Sequence, residues 1–349
     1  MTEKYLVKNQ ERPQKWAAVF DLDGVIGRDD AAGRFWKSLG LETEYSHLTK
    51  TVLAARNNHG KNMEKLTQEV IEKSQITDKQ ALEHAIRSRW PLPRGTVLSI
   101  LLELNSHRNI PVAKMQEIGQ KLPLTRGAGK LIEALKKHPK IGRNNIFINS
   151  ATYGPIAVEV AKRLGIPEEN VFSTKVNSEK GMLVSTESVN GGINKLKSLE
   201  EISRQREIPF TRMLGFGDSP ADVPFLAEIS KAGGFSFWFN PDSEVIGKNA
   251  ESKRGKAEIP GRRLEAGERG QGVIVAANSM KHLHSLIDVV LRHEDQGIRR
   301  EKVRQWLVSH KKYARRSGLP GVTQFYPLQA KVRRSTRVRV NQSRERVRR

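Results

Sequence analysis

Aspartates recur in this sequence where the chain leaves a short apolar run. Trp16–Phe20 (WAAVF) passes straight into Asp21-Leu22-Asp23-Gly24, and Met213–Phe216 passes into Gly217-Asp218, with Asp222 four residues further on. Two more polar exits complete the set. Asn145–Asn149 (NIFIN) opens onto Ser150-Ala151-Thr152, and Gly191-Gly192-Ile193-Asn194-Lys195 opens a helical pattern. Carboxylates converging from separate strands repel one another unless a cation lies among them. Oxygen donors without cysteine or a histidine cluster favour Mg²⁺ over zinc, and Mg²⁺ on one or two carboxylates commonly shares its shell with a phosphate. A phosphorylated substrate follows, with Ser150, the adjacent main-chain N–H of Ala151 and the Lys195 ammonium available for the remaining phosphate oxygens. No P-loop (G-x-x-x-x-G-K followed by Ser or Thr) occurs.

For these residues to meet, their elements must form a parallel sheet whose strands all deliver their carboxyl ends to one rim. Apolar runs at 16–20, 145–149, 171–174, 213–216, 235–239 and 273–276 read as strands. Between them, 129–137, 155–164 (ended by Gly165), 194–206 and 221–230 read as helices. Strands alternating with helices of this length predict an α/β fold, a Rossmann-like doubly wound parallel sheet. From about Ala31 to Gln120 the spacing is helical throughout, as at Leu66, Val70 and Ile71, broken by Trp90-Pro91-Leu92-Pro93. The expected organisation is a core of 1–27 and 122–295, a helical insert over 28–121 after the first strand, and a basic extension over 296–349. The aromatic run Phe235, Phe237, Trp238, Phe239 reads as a buried core strand.

Composition narrows the classes. The 349 residues carry 61 Lys and Arg against 38 Asp and Glu, a net charge of +23, and no cysteine. A disulfide scaffold, a cysteine-ligated metal and a thiol nucleophile are excluded. No apolar stretch reaches the length of a membrane span and the first residues lack a signal-like apolar run, so a soluble cytoplasmic protein is expected. The charge is uneven: from Gln296 to Arg349 there are 17 Lys and Arg against 2 acids.

The ordered set DLDGV (Asp21–Val25), Ser150 after a strand, Lys195 opening a helix and GDSPAD (Gly217–Asp222) resembles the four motifs of the haloacid dehalogenase superfamily of phosphohydrolases. The resemblance implies Asp21 as nucleophile, forming an aspartyl-phosphate, and Asp23 as general acid and then base. It implies Ser150, Ala151 and Lys195 at the phosphoryl group. It implies Mg²⁺ as cofactor, held by Asp21, Asp218 and the Asp23 main-chain carbonyl, with Asp222 orienting that shell. Lys197 is the alternative to Lys195 for the third motif. An Asp two residues after the nucleophile separates phosphatases and phosphomutases from the dehalogenases and ion pumps of the superfamily. The insert is similar in placement to the helical cap of phosphoserine phosphatases, but Gly24-Val25 stands where that subgroup usually has Ser-Thr. Arg28, Asp29 and Asp30 stand where it has a Glu for the substrate amine, and Ala221 where it often has Asn, so the substrate stays open.

The reading is a Mg²⁺-dependent phosphomonoester hydrolase acting on a small phosphorylated metabolite. The tail supplies the alternative. Arg299–Arg316 predicts a basic amphipathic helix around Trp306 and Leu307, and Lys331–Arg349 is almost free of acids. Such a tail suits nucleic acid, and hence a nucleic-acid-associated end-phosphatase or binding protein, or else forms a solvated extension. In the insert, Arg56 is the residue best suited to meet a negative substrate group, and His59 reads as a solvated turn residue that could also face substrate.

Overall fold

The structure is a computed structural model that describes residues 15–306 apart from 60–61, 75, 88–95, 220, 240–273, 277–279, 281–282, 300 and 304. For 56–57, 96, 238–239 and 274–276 it describes the main chain alone. The Trp90–Pro93 break, the side chain of Arg56, the charged stretch 251–272 and the tail beyond Trp306 lie outside the described residues.

Strand β1 (Ala17–Phe20) is four apolar residues, all buried, as a strand covered on both faces must be. It pairs in parallel with β2 (Ile146–Tyr153) and β5 (Met213–Gly217). Beyond them lie β3 (Val171–Glu179), β4 (Met182–Ser188), β6 (Phe235–Phe239) and β7 (Ile274–Ala276), in the order β4-β3-β2-β1-β5-β6-β7. All neighbours run parallel except β3 and β4. Side chains alternate between two faces. Ala17 and Val19 pack with Leu199, Ile202, Phe225, Leu226 and Ile229, from α9 (Ile193–Arg206) and α10 (Val223–Ala232). Ala18 and Phe20 face α7 (Ala128–Lys137), α8 (Gly154–Leu164) and α11 (Leu283–Arg292) in a larger cluster. On one rung of the sheet Phe20, Phe216 and Phe237 stack with centroids 4.2 and 4.6 Å apart. That aromatic ladder stiffens the strand ends from which Asp21 and Gly217 emerge.

Between β1 and β2 run α1 (Ala31–Ser38), α2 (Glu42–His59), α3 (Met63–Lys73), α4 (Lys79–Arg87), α5 (Thr96–Leu104) and α6 (Val112–Lys121). The Asp30 side chain caps α1 by accepting from Gly33 N at 2.9 Å. The apolar faces of these helices join the same cluster as the sheet.

Three features differ from the sequence expectation. Strand β2 continues to Tyr153, with irregular pairing to β3 between Asn149 and Tyr153, so Ser150 lies inside the strand. Strand β3 continues beyond Thr174, and β4 returns antiparallel to it across a tight turn in which Lys180 and Gly181 have φ of 49° and 77°. This hairpin is largely polar and so has no apolar run to betray it. It also seats the helical insert: Thr186 Oγ1 donates to Ser99 Oγ at 2.6 Å, Leu183 N to Ile110 O at 2.8 Å and Val112 N to Gly181 O at 2.9 Å. Finally, the basic segment beginning at Gln296 starts within the folded body. Described residues from 296 to 306 are helical, Arg299 and Val303 are buried, and the Arg299 guanidinium lies 4.7 Å from the Trp16 ring centroid.

Candidate active site

At the carboxyl end of β1 the Asp21 amide donates to Phe216 O at 2.8 Å, which ties the first acidic loop to β5. Asp21 Oδ1 accepts from Leu22 N at 2.7 Å and from Lys195 Nζ at 2.8 Å. Lys195 is 1% exposed, and its Nζ also reaches Asp222 Oδ1 at 2.5 Å. Asp222 is fully buried, and its Oδ2 accepts from Asp218 N at 3.1 Å, Ser219 N at 2.9 Å and Ser219 Oγ at 3.0 Å. One carboxylate thus folds the loop after β5 and grips the lysine. Lys197 is exposed, and of the two lysines it is Lys195 that reaches the carboxylates.

Carboxylate oxygens of Asp21, Asp218 and Asp222 lie within 4.8 Å of one another. The crowding is visible in their protonation. Burial, then Asp222, push the Asp21 carboxyl up to about 6 against the pull of Lys195. Burial, then Asp21 and Asp222, push Asp218 up to about 9. Burial alone would lower the Lys195 pKa, but Asp21 and Asp222 carry it above its ordinary value, so the ammonium persists. Three carboxylates against one ammonium leave an excess of negative charge that a hard divalent cation would offset. The donor set therefore fits Mg²⁺, with Asp21 and Asp218 the members whose oxygens remain open to it.

Asp23 stands apart from that group. Its Oδ1 accepts from Ala31 N at 2.9 Å, in the first turn of α1. Burial, then Asp30 and Asp21, hold its carboxyl well above the ordinary range. Asp30 in turn accepts from Tyr45 Oη at 2.8 Å, while Asp29 is paired with Arg34. The acids between strand and insert are thus already engaged with α1 and α2.

Two glycines make the packing possible. Gly24 has φ of +70°, and a Cβ there would fall 1.8 Å from Asp218 Oδ2. At Gly217 a Cβ would fall 2.5 Å from that of Asp222. Without a side chain at these positions the main chain of the loops after β1 and β5 can approach the Asp218 and Asp222 carboxylates that closely.

Sequence reasoning missed a buried amide network beneath the site. Asn149 Nδ2 donates to the Lys195 carbonyl at 2.9 Å, and Asn149 Oδ1 accepts from Asn190 Nδ2 at 2.9 Å. Asn190 also reaches Ser150 O at 3.2 Å and Phe172 O at 2.8 Å, and accepts from Ser198 Oγ at 3.0 Å. These bonds set Ser150 and Lys195 in a common frame. A usable signal was present: Asn149 ends an otherwise apolar strand run, where a buried amide must find partners. Ser150 is itself buried, its Oγ accepting from Thr152 N at 3.3 Å, while Ala151 is partly exposed beside it. In the insert, His59 Nε2 is 2.7 Å from Glu69, which also accepts from Asn58 and Lys73, so His59 serves a local polar cluster.

The family described as haloacid dehalogenase-like hydrolase matches residues 18–227, and the chain belongs to it. The chain is accordingly a hydrolase of the haloacid dehalogenase type. No curated protein matches in sequence. Among solved structures, a gene product from Archaeoglobus fulgidus is similar at 12% identity and TM-score 0.55, covering 84% of this chain and 87% of that one. A haloacid dehalogenase family hydrolase from Salmonella enterica serovar Typhi aligns at 15% identity and TM-score 0.47, covering 68% and 67%. A phosphoserine phosphatase captured as a phospho-aspartyl intermediate analogue aligns at 17% identity and TM-score 0.43, covering 67% and 91%. The first of these supports the fold. Among the described residues no helix is long and apolar enough to cross a membrane.

Proposed function

We propose that the chain is a Mg²⁺-dependent phosphomonoesterase that works through an aspartyl-phosphate on Asp21 and acts on a small phosphorylated metabolite. The observation that carries this reading is the buried Lys195 ammonium bridging Asp21 and Asp222, with Asp218 close by. Mg²⁺ held by Asp21, Asp218 and the Asp23 main-chain carbonyl would offset charge on the phosphoryl oxygens. Lys195 with Ser150 and the N–H of Ala151 binds those oxygens as well, and Asp222 positions the lysine.

The contacts of the Asp21 carboxylate with Leu22 N and Lys195 Nζ both fall on Oδ1, so Oδ2 is the oxygen assigned to attack. It bonds to phosphorus as the ester P–O bond breaks, and the Asp23 carboxyl gives its proton to the departing oxygen. The Asp23 carboxylate then takes a proton from water as the water oxygen bonds to phosphorus, and the Asp21–phosphorus bond breaks to free phosphate. An acid of ordinary pKa would already be ionised before the first step. The elevated Asp23 carboxyl suits the role. The catalytic core would comprise 1–27 and 122–295, and the helices of 28–121 would form a cap that selects the leaving group.

The test is phosphate release from an aryl phosphate and from a panel of small phosphate monoesters, with Mg²⁺ or EDTA, for wild type and Asp21→Asn. Release that needs Mg²⁺ and disappears in a folded Asp21→Asn protein is the expected result. Silence across the panel in folded, Mg²⁺-loaded wild type would overturn the reading.

A further inference from the structure

The opposite end of the sheet holds a cavity of about 410 Å³ where the chain enters β1 and β2 and where α9 ends. Three cations line it, Lys15, Arg143 and Arg206, together with the amides Asn144, Asn145 and Gln205, and no carboxylate among the described residues does. None of the three cations has an ion pair among the described residues. Like charges at close range cost free energy unless an anion joins them.

Both guanidiniums are held in place by one neutral contact each. Arg143 Nε donates to Gly165 O at 2.9 Å. Arg206 donates through a terminal nitrogen to Asn170 Oδ1 at 2.7 Å, and its Cζ lies 5.7 Å from the Phe147 ring centroid. Asn170 is fully buried and donates to Asn144 O at 3.0 Å and Ile146 O at 2.9 Å, so the same amide orients Arg206 and shapes the loop that carries Arg143. Arg206 Nε is buried with no hydrogen-bond partner. The negative end of α9 accounts for one cation near residue 206, but not for three around one cavity.

From this arrangement we propose a second, anion-binding site that takes a small ligand bearing two adjacent phosphate groups. Three cations match the charge of a diphosphate, and the cavity has room for more than one phosphate group. Arginine forks present paired N–H donors to such oxygens. The site lies at the strand ends remote from Asp21 and does not depend on the phosphatase reading.

The test titrates the full chain carrying Asp21→Asn, in EDTA, with pyrophosphate and separately with ADP, followed by calorimetry and by hydrogen exchange. A matched protein also carries Arg143→Gln and Arg206→Gln. The expected result is one saturable site that slows exchange over 141–147 and 203–208 and weakens at least tenfold in the double-arginine variant. Binding of pyrophosphate alone assigns the site to an inorganic anion, and binding of ADP at equal or greater affinity assigns it to a nucleotide. If the double variant fails to fold, Arg143→Gln alone, at an exposed position, is expected to weaken binding several-fold. Equal affinity in wild-type and variant cavities, or protection confined to the Asp21 loops or the basic tail, overturns the proposal.

Discussion

At the carboxyl ends of β1 and β5 three aspartates crowd together, two of them on one buried lysine, whereas at the amino ends of β1 and β2 three cations share a cavity that no acid among the described residues lines. Helix α9 connects the two, supplying Lys195 in its first turn and Arg206 in its last, about 16 Å apart along the helix axis. The acidic end is internally cross-linked: each oxygen of Asp222 has a donor and Lys195 touches two carboxylates. The basic end is braced by neutral amides and carbonyls, and its charge is left uncompensated. An excess of one sign, held rigidly, is how a fold reserves a place for a ligand of the other sign.

The contrast can be broken most severely at Asp21. Asp21→Asn keeps the shape and removes the proposed nucleophile, so phosphate release is expected to fall by about 10⁴-fold or more, while the pyrophosphate titration is unchanged. Gly24→Ala comes next. Its Cβ would overlap Asp218 Oδ2, so Mg²⁺-dependent turnover should fall by about 10²-fold, with a lowered thermal midpoint. Lys195→Met removes the only ammonium among the described residues in contact with Asp21 and Asp222 and leaves buried carboxylates uncompensated. It should cost about 3–5 kcal/mol in denaturant unfolding without metal, part of it recovered by Mg²⁺.

A fourth prediction concerns pH. Asp21 and Asp218 have folded-state pKa values raised to about 6 and about 9, so the folded protein without metal binds more protons than the unfolded chain between those values and the ordinary carboxylate range. Stability without metal is therefore full below about pH 4 for these groups and falls as pH rises toward 9. Mg²⁺ affinity rises over the same window, and saturating Mg²⁺ should flatten the slope in urea titrations. The smallest effect is expected at Asn190. Asn190→Ala strips the amide that aligns Asn149, Ser150 and Phe172, at about 1–3 kcal/mol of stability and a reduced kcat with KM little changed.

Much of this was legible in the chain. The order of strands, the helical insert after β1, and the candidates Asp21, Asp23, Ser150, Lys195, Asp218 and Asp222 follow from apolar runs that end in polar exits. A parallel α/β sheet can put such exits only along one edge. The β3–β4 hairpin was hidden because its strands alternate polar residues on an exposed edge, and only the Lys180-Gly181 turn marks it. Asn190 and Asn170 read as ordinary loop residues until partners such as Asn149 and Asn144, 41 and 26 residues away, become visible.

What the sequence alone determined is therefore local: which residue types stand at the ends of which elements, because period and turn chemistry act over a few neighbours. What only the tertiary structure decided is pairwise and distant. Lys195 over Lys197, the separation of Asp23 from the three-carboxylate cluster, the closeness of Gly24 to Asp218, and the meeting of Lys15, Arg143 and Arg206 each depend on segments far apart in the chain. Their distances are set by strand register and helix packing, which no local pattern encodes.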